Sequence, residues 1–392
     1  MSPARRGLAA VLIASFGLRI WLACQGGQFF WPDEGRYLQA RAAAADLAQG
    51  RWHAALEELF GHAEHTLFRV VGLPIALVEQ AVGPNPVLAG CYFGIFSVLA
   101  IYLVWAIARR AGAGESEGLW AALLAACANS LFFYSSHLFP YDASLCIMLG
   151  ALWLALGPWS PHRSWLAGTM AGLGFLTYNG YWLLGGAVLI VHVLLGEGGR
   201  ARAPARAACA GAGLASPIAA LIGLGRLLGH HLVAENIPYT SGVVGDFHIG
   251  YQVIAQSLWA AEGALVFLWL AGFAAAFWFR ERRRRLRLCW AGAAIVLGGL
   301  VLLSDVIPEL KVQGRLVRTA TIPFLVLGAA CGIDGWARKH GKGWAVAIAV
   351  AAMGMAAVNF SGPLRQWFPR EFRAAAARKA KRLSRSEPGD YR

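Results

Sequence analysis

The chain has 392 residues, of which 58% are hydrophobic and only 14% charged. Its mean hydropathy of +0.52 means more apolar surface than a soluble protein of this length can bury, so a soluble globular enzyme is excluded. The net charge of +14 does not point to nucleic acid, because the basic residues gather in short clusters between apolar runs, as membrane orientation signals do.

In chain order, the first apolar segment covers 7–25. It has the basic start of a secretory signal, but Arg19 interrupts its core and no small-x-small cleavage site follows, so it is predicted to be a retained first span. Directly behind it comes Phe29-Phe30-Trp31-Pro32-Asp33-Glu34-Gly35-Arg36-Tyr37. Proline suits the first helical position because its missing N–H would be unpaired there. Asp33 and Glu34 then fall in the first turn, where the helix dipole favours negative charge, and Arg36 and Tyr37 return to the face of Asp33. A charge-capped interfacial helix accounts for these residues. So does a catalytic carboxylate held at the membrane surface.

The rest of the first loop carries an amphipathic segment, 37–52, and a polar cluster of Glu57, Glu58, His62, Glu64 and His65. The last three lack the spacing of a helical HExxH site. A solvated interfacial helix is therefore preferred to a bound divalent metal, and no metal ligand is assigned.

Further apolar runs lie near 86–108, 118–136, 141–157, 165–178, 180–195, 207–224, 253–279, 288–303, 319–335 and 343–360. The run 67–83 is ambiguous, being short and containing Pro74, Glu79 and Gln80. The positive-inside rule decides it. If 67–83 does not cross, the clusters at Arg109-Arg110, Arg163, Arg200 to Arg206, Arg280 to Arg287 and Arg338 to Lys342 all share the side of Arg5-Arg6. The expectation is an all-α, polytopic membrane bundle of about eleven spans, with 67–83 interfacial or re-entrant. One domain covers 1–360, including an extracytoplasmic loop over 26–85, and a basic tail covers 361–392. That tail conflicts with the scheme, since it is basic yet should end outside. The seven cysteines lie mostly inside apolar segments without pairing or ligand spacing.

The same parity puts the Asp33 loop, Asp142, the Tyr178-Asn179 turn and the loops 226–251 and 304–318 on one extracytoplasmic face. Asp142 enters a span, where an ionisable residue is a functional candidate, although capping after Pro140 explains it nearly as well. Lys311, Arg315 and Arg318 are four and three residues apart, so on a helix they form one basic stripe. Guanidinium forks suit a phosphate, and snorkelling to lipid headgroups is the alternative. The loop 226–251 carries His230, His231, Glu235, Asn236, Tyr239, Asp246 and His248 without diagnostic spacing.

These residues, in this order, resemble the GT-C superfamily of membrane glycosyltransferases, nearest its protein O-mannosyltransferase and aminoarabinose-transferase branch and then the GPI-mannosyltransferase-like enzymes. Leu18-Arg19-Ile20 and Pro32 to Tyr37 are similar to the family's first span and loop motif. His65-Thr66-Leu67-Phe68 stands where the branch has His-Pro-Pro-Leu. Ala171 to Asn179 is similar to its Gly-Leu…Thr-Lys segment, and Arg318 to Pro323 to its late Arg-Tyr…Pro helix start. The two prolines after His65 are absent, Asn179 replaces a lysine and Thr319 a tyrosine.

The resemblance implies inverting transfer of a sugar from a polyprenyl-phosphate donor to a glycan, lipid or protein acceptor outside the plasma membrane, in contact with membrane lipids. Asp33 would be the general base, with Glu34 beside it. Lys311, Arg315 and Arg318 would hold the departing phosphate. Arg36, Tyr37, His65, Asp142, Tyr178 and Asn179 would contact substrate. The competing classes are a transporter or flippase of lipid-linked saccharides and a membrane O-acyltransferase or polysaccharide ligase. Transporters place ionisable groups near the midplane and show repeats, whereas here the polar residues gather at one face.

Overall fold

Prolines and side-chain caps set where many of these helices begin. The computed structural model of the chain describes residues 2–29, 32–61, 66–196, 199–232, 251–279, 283–306 and 314–367. Helix α1, Pro3–Cys24, starts with Pro3 behind Ser2, whose hydroxyl accepts the Arg5 N–H. A 3-10 turn, Pro32–Gly35, leads into three helices of the first loop: α2, Arg36–Ala48; α3, Trp52–Phe60; and α4, Thr66–Val82. Helix α5, Pro86–Arg110, is capped by Asn85 on the Val87 and Leu88 N–H groups, and ends on Arg109 and Arg110, where the dipole favours cations.

Then follow α6, Glu115–Ala126; α7, Asn129–Phe133; α8, Pro140–Ala155; α9, Pro161–Thr177; α10, Trp182–Leu195; and α11, Ala203–Leu227. Helices α12, Tyr251–Glu262, and α13, Leu265–Ala275, precede α14, Arg283–Val306. The last are α15, Gly314–Ala320, α16, Val326–His340, and α17, Lys342–Trp367, with a π-helical turn at Thr321–Leu325 between the first two. Among the described residues no strand occurs.

The protein is an all-helical, multi-pass membrane protein. Five described helices are long and apolar enough to cross a bilayer, or six if one bent pair counts as a span, and three shorter apolar helices accompany them. Their outer faces carry large exposed apolar side chains, among them Ile13, Val350 and Val358, as lipid contact requires. Inside, backbones meet closely. A Cβ on Gly168 of α9 would lie 1.9 Å from the Ala210 carbonyl oxygen, and one on Gly213 of α11 would lie 2.0 Å from that of Trp165. Only glycine permits that approach, the small-residue packing typical of spans.

Three expected spans have internal breaks. The run 118–136 is α6, a break at Cys127 and Ala128, then α7 and a 3-10 turn, Tyr134–Ser136. The run 253–279 is α12 and α13 meeting at 107° about Gly263, which adopts φ +53°. Within 314–340, Pro323 lacks the N–H that the α-helical ladder needs, and the ladder widens to π there. The ambiguous run 67–83 is a 17-residue helix, α4, with Pro74 inside it. It packs through Gly72 against Tyr37 and Ala40 of α2.

Candidate active site

The backbone leaves regular geometry just before the turn 32–35. Gly26 and Gly27 have positive φ, and so does Phe29 at 63°, a strained value for an aromatic residue. Phe29 is buried and packs 6.4 Å from Tyr37, which pins the chain as it enters the turn. Asp33 belongs to that turn, and its side chain lies outside the described residues.

Its neighbour Glu34 is fully buried. One carboxylate oxygen accepts the Leu138 N–H at 2.9 Å and lies 3.3 Å from His137 Nδ1. Glu34 therefore ties the first loop to the irregular stretch between α7 and α8. Two residues into α8, that stretch delivers Asp142. Buried as well, Asp142 pairs with Arg318 of α15, Oδ1 to Nη2 at 2.7 Å. Arg318 also donates from Nε to the Tyr181 hydroxyl at 2.6 Å and from Nη1 to the Ser130 carbonyl at 3.0 Å. A wall of tyrosines closes the space: Tyr141 meets Tyr178 at 4.8 Å, and Tyr178 meets Tyr181 at 4.9 Å.

Two further ionisable residues hold the broken helix in place. Arg19 of α1 donates to Ser97 Oγ at 2.9 and 3.1 Å, and to the Leu131 carbonyl at 3.2 Å. Glu262, at the kink before Gly263, accepts the Asn129 and Ser130 N–H groups at 2.8 and 3.3 Å. The break after α6 thus exposes backbone groups inside the bundle, and buried charged side chains satisfy them. Neither Arg19 nor Glu262 was singled out for the site from sequence. The available signal was a charge within or at the end of an apolar run.

The structure brings Glu34, Asp142, Tyr178 and Arg318 into one linked assembly. Tyr37 points away from it, giving its hydroxyl proton to Glu79 of α4 at 2.8 Å, and Arg41 stands 3.4 Å from the same carboxylate. Burial, and then Glu79, push the Tyr37 phenol up, so it remains the donor. Arg36 opens α2 and Asn179 lies in a 3-10 turn, both partly exposed. The expected basic stripe is represented by Arg318 alone, and its fork is turned inward to Asp142. Arg315 is in α15 with its side chain outside the described residues, and Lys311 and His65 lie outside them altogether. The same holds for His62 and Glu64 of the polar cluster. Among the described residues no group of three or more His, Cys, Asp or Glu side chains could hold a metal. His230 lies 3.5 Å from Glu57, joining the end of the 226–232 segment to α3.

The all-helical multi-pass bundle that encloses the buried Asp142–Arg318 pair is similar in fold to known membrane glycosyltransferases of the GT-C type, the class the sequence resembles. A family model described as dolichyl-phosphate-mannose-protein mannosyltransferase matches residues 75–222, from α4 to α11. The chain is similar in fold to ArnT from Cupriavidus metallidurans in the apo state, with 17% identity over 97% of this chain and 75% of that one, and a TM-score of 0.56. It is similar to the same protein bound to undecaprenyl phosphate, at 16% identity over 97% and 74%, with a TM-score of 0.57. The archaeal oligosaccharyltransferase AglB from Archaeoglobus fulgidus, in complex with an inhibitory peptide and a dolichol-phosphate, has a TM-score of 0.53. There the identity is 13%, over 95% of this chain and 56% of AglB. At such identities these likenesses establish the fold. No curated protein matches the chain in sequence.

Proposed function

We propose that this protein moves a sugar from a polyprenyl-phosphate donor to an acceptor hydroxyl outside the plasma membrane, with inversion at the anomeric carbon. One observation carries the reading: Glu34, next to Asp33 in the turn, is buried on the Leu138 N–H, four residues before the Asp142 that pairs with Arg318. In the step, Asp33 takes the acceptor's proton as its oxygen attacks the anomeric carbon. The bond from that carbon to the donor phosphate oxygen breaks, and the lipid phosphate leaves with the electron pair. Lys311 and Arg315 meet its charge. Arg318, already committed to Asp142, positions the pocket wall, and Arg36, His65, Tyr178 and Asn179 line the approach.

The lipid-phosphate ligands of the similar ArnT and AglB structures support the donor class. The distribution of basic clusters in the sequence supports the acceptor side, since a count of about eleven spans would put the Asp33 loop outside. The kink at Gly263 is the type of broken helix that transporters use around a substrate. Here, however, Glu262 at the kink is already closed on Asn129 and Ser130. Mass spectrometry of lipid-linked sugars and envelope glycans, with and without the gene, tests the reading. An unused donor accumulates in the deletion and an envelope glycan loses the sugar. Unchanged profiles of both would overturn it.

A further inference from the structure

The break after α6 and the bend before Gly263 meet at one buried carboxylate. Glu262 ends α12, and its two oxygens accept the N–H groups of Asn129 and Ser130, which open α7, at 2.8 and 3.3 Å. The Asn129 amide returns the contact, donating to the Ala261 carbonyl at 2.7 Å. Ser130 in turn gives its own carbonyl to Arg318 Nη1 at 3.0 Å. One residue therefore stands between Glu262 and the guanidinium that pairs with Asp142.

The bend is itself fixed from the last helix. Gly263 has φ +53°, and a Cβ there would collide with the Asn359 side chain of α17. The Asn359 amide donates to the Glu262 carbonyl, and the next residue, Phe360, stacks on Phe132 of α7 with ring centroids 3.9 Å apart. Helix α7 has only five residues, too few to hold its place by helical hydrogen bonds alone. Its place is set by these contacts, together with Arg19 on the Leu131 carbonyl. Of them, the carboxylate on two backbone N–H groups is charge-assisted and grips the residue that Arg318 reads.

We propose that Glu262 is a positioning residue for the Asp142–Arg318 pair, acting through Ser130, and that the bend between α12 and α13 belongs to the frame of the transfer site. Glu262 touches no reacting group. It fixes the Ser130 carbonyl; that carbonyl and the Tyr181 hydroxyl hold two of the Arg318 nitrogens, which aims the third at Asp142. A guanidinium is planar and stiff, so moving one of its three partners turns the whole fork. A displacement of about 1 Å in such a frame costs about 10²-fold in rate. The effect on rate rests on the glycosyltransferase reading, whereas the effect on the pair rests on the geometry alone.

The test is a double-mutant cycle of Glu262→Gln with Arg318→Lys in the full-length protein. Glutamine keeps the length but turns an amide toward one of the two backbone donors. Lysine keeps a charge beside Asp142 but has no fork to be turned by Ser130. The cycle is read first as the thermal unfolding midpoint in detergent, which needs no substrate. Glu262→Gln lowers the midpoint of the wild type clearly more than that of Arg318→Lys. It is read again as transfer by folded protein, well below the midpoint. There Glu262→Gln lowers kcat about ten- to a hundredfold in the wild type, with the donor KM unchanged, and by no more than about twofold in Arg318→Lys. If Glu262→Gln does not fold, Asn359→Leu, which takes only the amide from the Glu262 carbonyl, runs the same cycle. Equal midpoint losses in the two backgrounds would overturn the positioning role. A coupled midpoint in a protein that transfers no sugar would leave that role standing and sink the glycosyltransferase reading instead.

Discussion

Arg318 and Asp142 meet at 2.7 Å in the interior of the bundle, and both side chains are buried. Arg318 comes from the last turn of α15 and Asp142 from the first turn of α8, so the pair fastens the late part of the chain to an earlier one. Breaking such a pair leaves a buried charge uncompensated, which costs about 3–5 kcal/mol. Arg318→Met and Asp142→Leu are each expected to lower the thermal unfolding midpoint in detergent, and the double variant carrying both to recover most of the loss. Strictly additive losses across this double-mutant cycle would dissolve the pair as an energetic unit.

In the proposed mechanism Glu34, held on the Leu138 N–H, supports the turn rather than the bond-making step. Glu34→Ala leaves the Leu138 N–H buried without its acceptor, a loss of about 1–3 kcal/mol, and transfer falls because the turn loosens. Glu34→Gln keeps an acceptor oxygen and should retain most of both stability and rate. A rate for Glu34→Gln as low as that of an Asp33 variant would put Glu34 in the chemistry itself.

Sidedness is tested with an impermeant thiol reagent in a background whose native cysteines are removed. Gln49→Cys, in the first loop, should label from outside the cell, and Lys339→Cys, at the end of α16, should not. Both positions are exposed, so labelling reports the side of the membrane rather than burial. The reverse pattern would overturn the orientation read from the basic clusters.

The apolar runs made the helical bundle legible, because hydropathy and proline positions act locally. The breaks at Cys127, Gly263 and Pro323 were less so. Whether a broken helix is tolerable depends on distant partners, such as Glu262 for the Asn129 N–H and Arg19 for the Leu131 carbonyl, which no local pattern announces. Asp142 was legible as an ionisable residue entering a span, but its partner was not. Arg318 read as one tooth of a phosphate-binding stripe, and only the folded chain shows its fork aimed at Asp142. Glu34 and Asp33 look alike in sequence, and only the folded chain shows Glu34 buried on the Leu138 N–H.

The decisive prediction concerns Asp33. If it is the general base, Asp33→Asn preserves size and hydrogen-bonding reach but has no carboxylate to accept the acceptor's proton. General-base loss is worth about 10²- to 10⁴-fold in rate, so turnover should fall at least that far while donor binding persists. If Asp33 only caps the helix that begins at Arg36, asparagine is nearly as good a cap and the change should be almost silent. Glu34→Gln separates the cases further, because a loosened turn would slow both variants alike while a lost base slows only one. Transfer by purified, folded Asp33→Asn at near the wild-type rate, with lipid-linked donor saturating, would remove Asp33 from the mechanism and leave the strained turn after Phe29 as architecture.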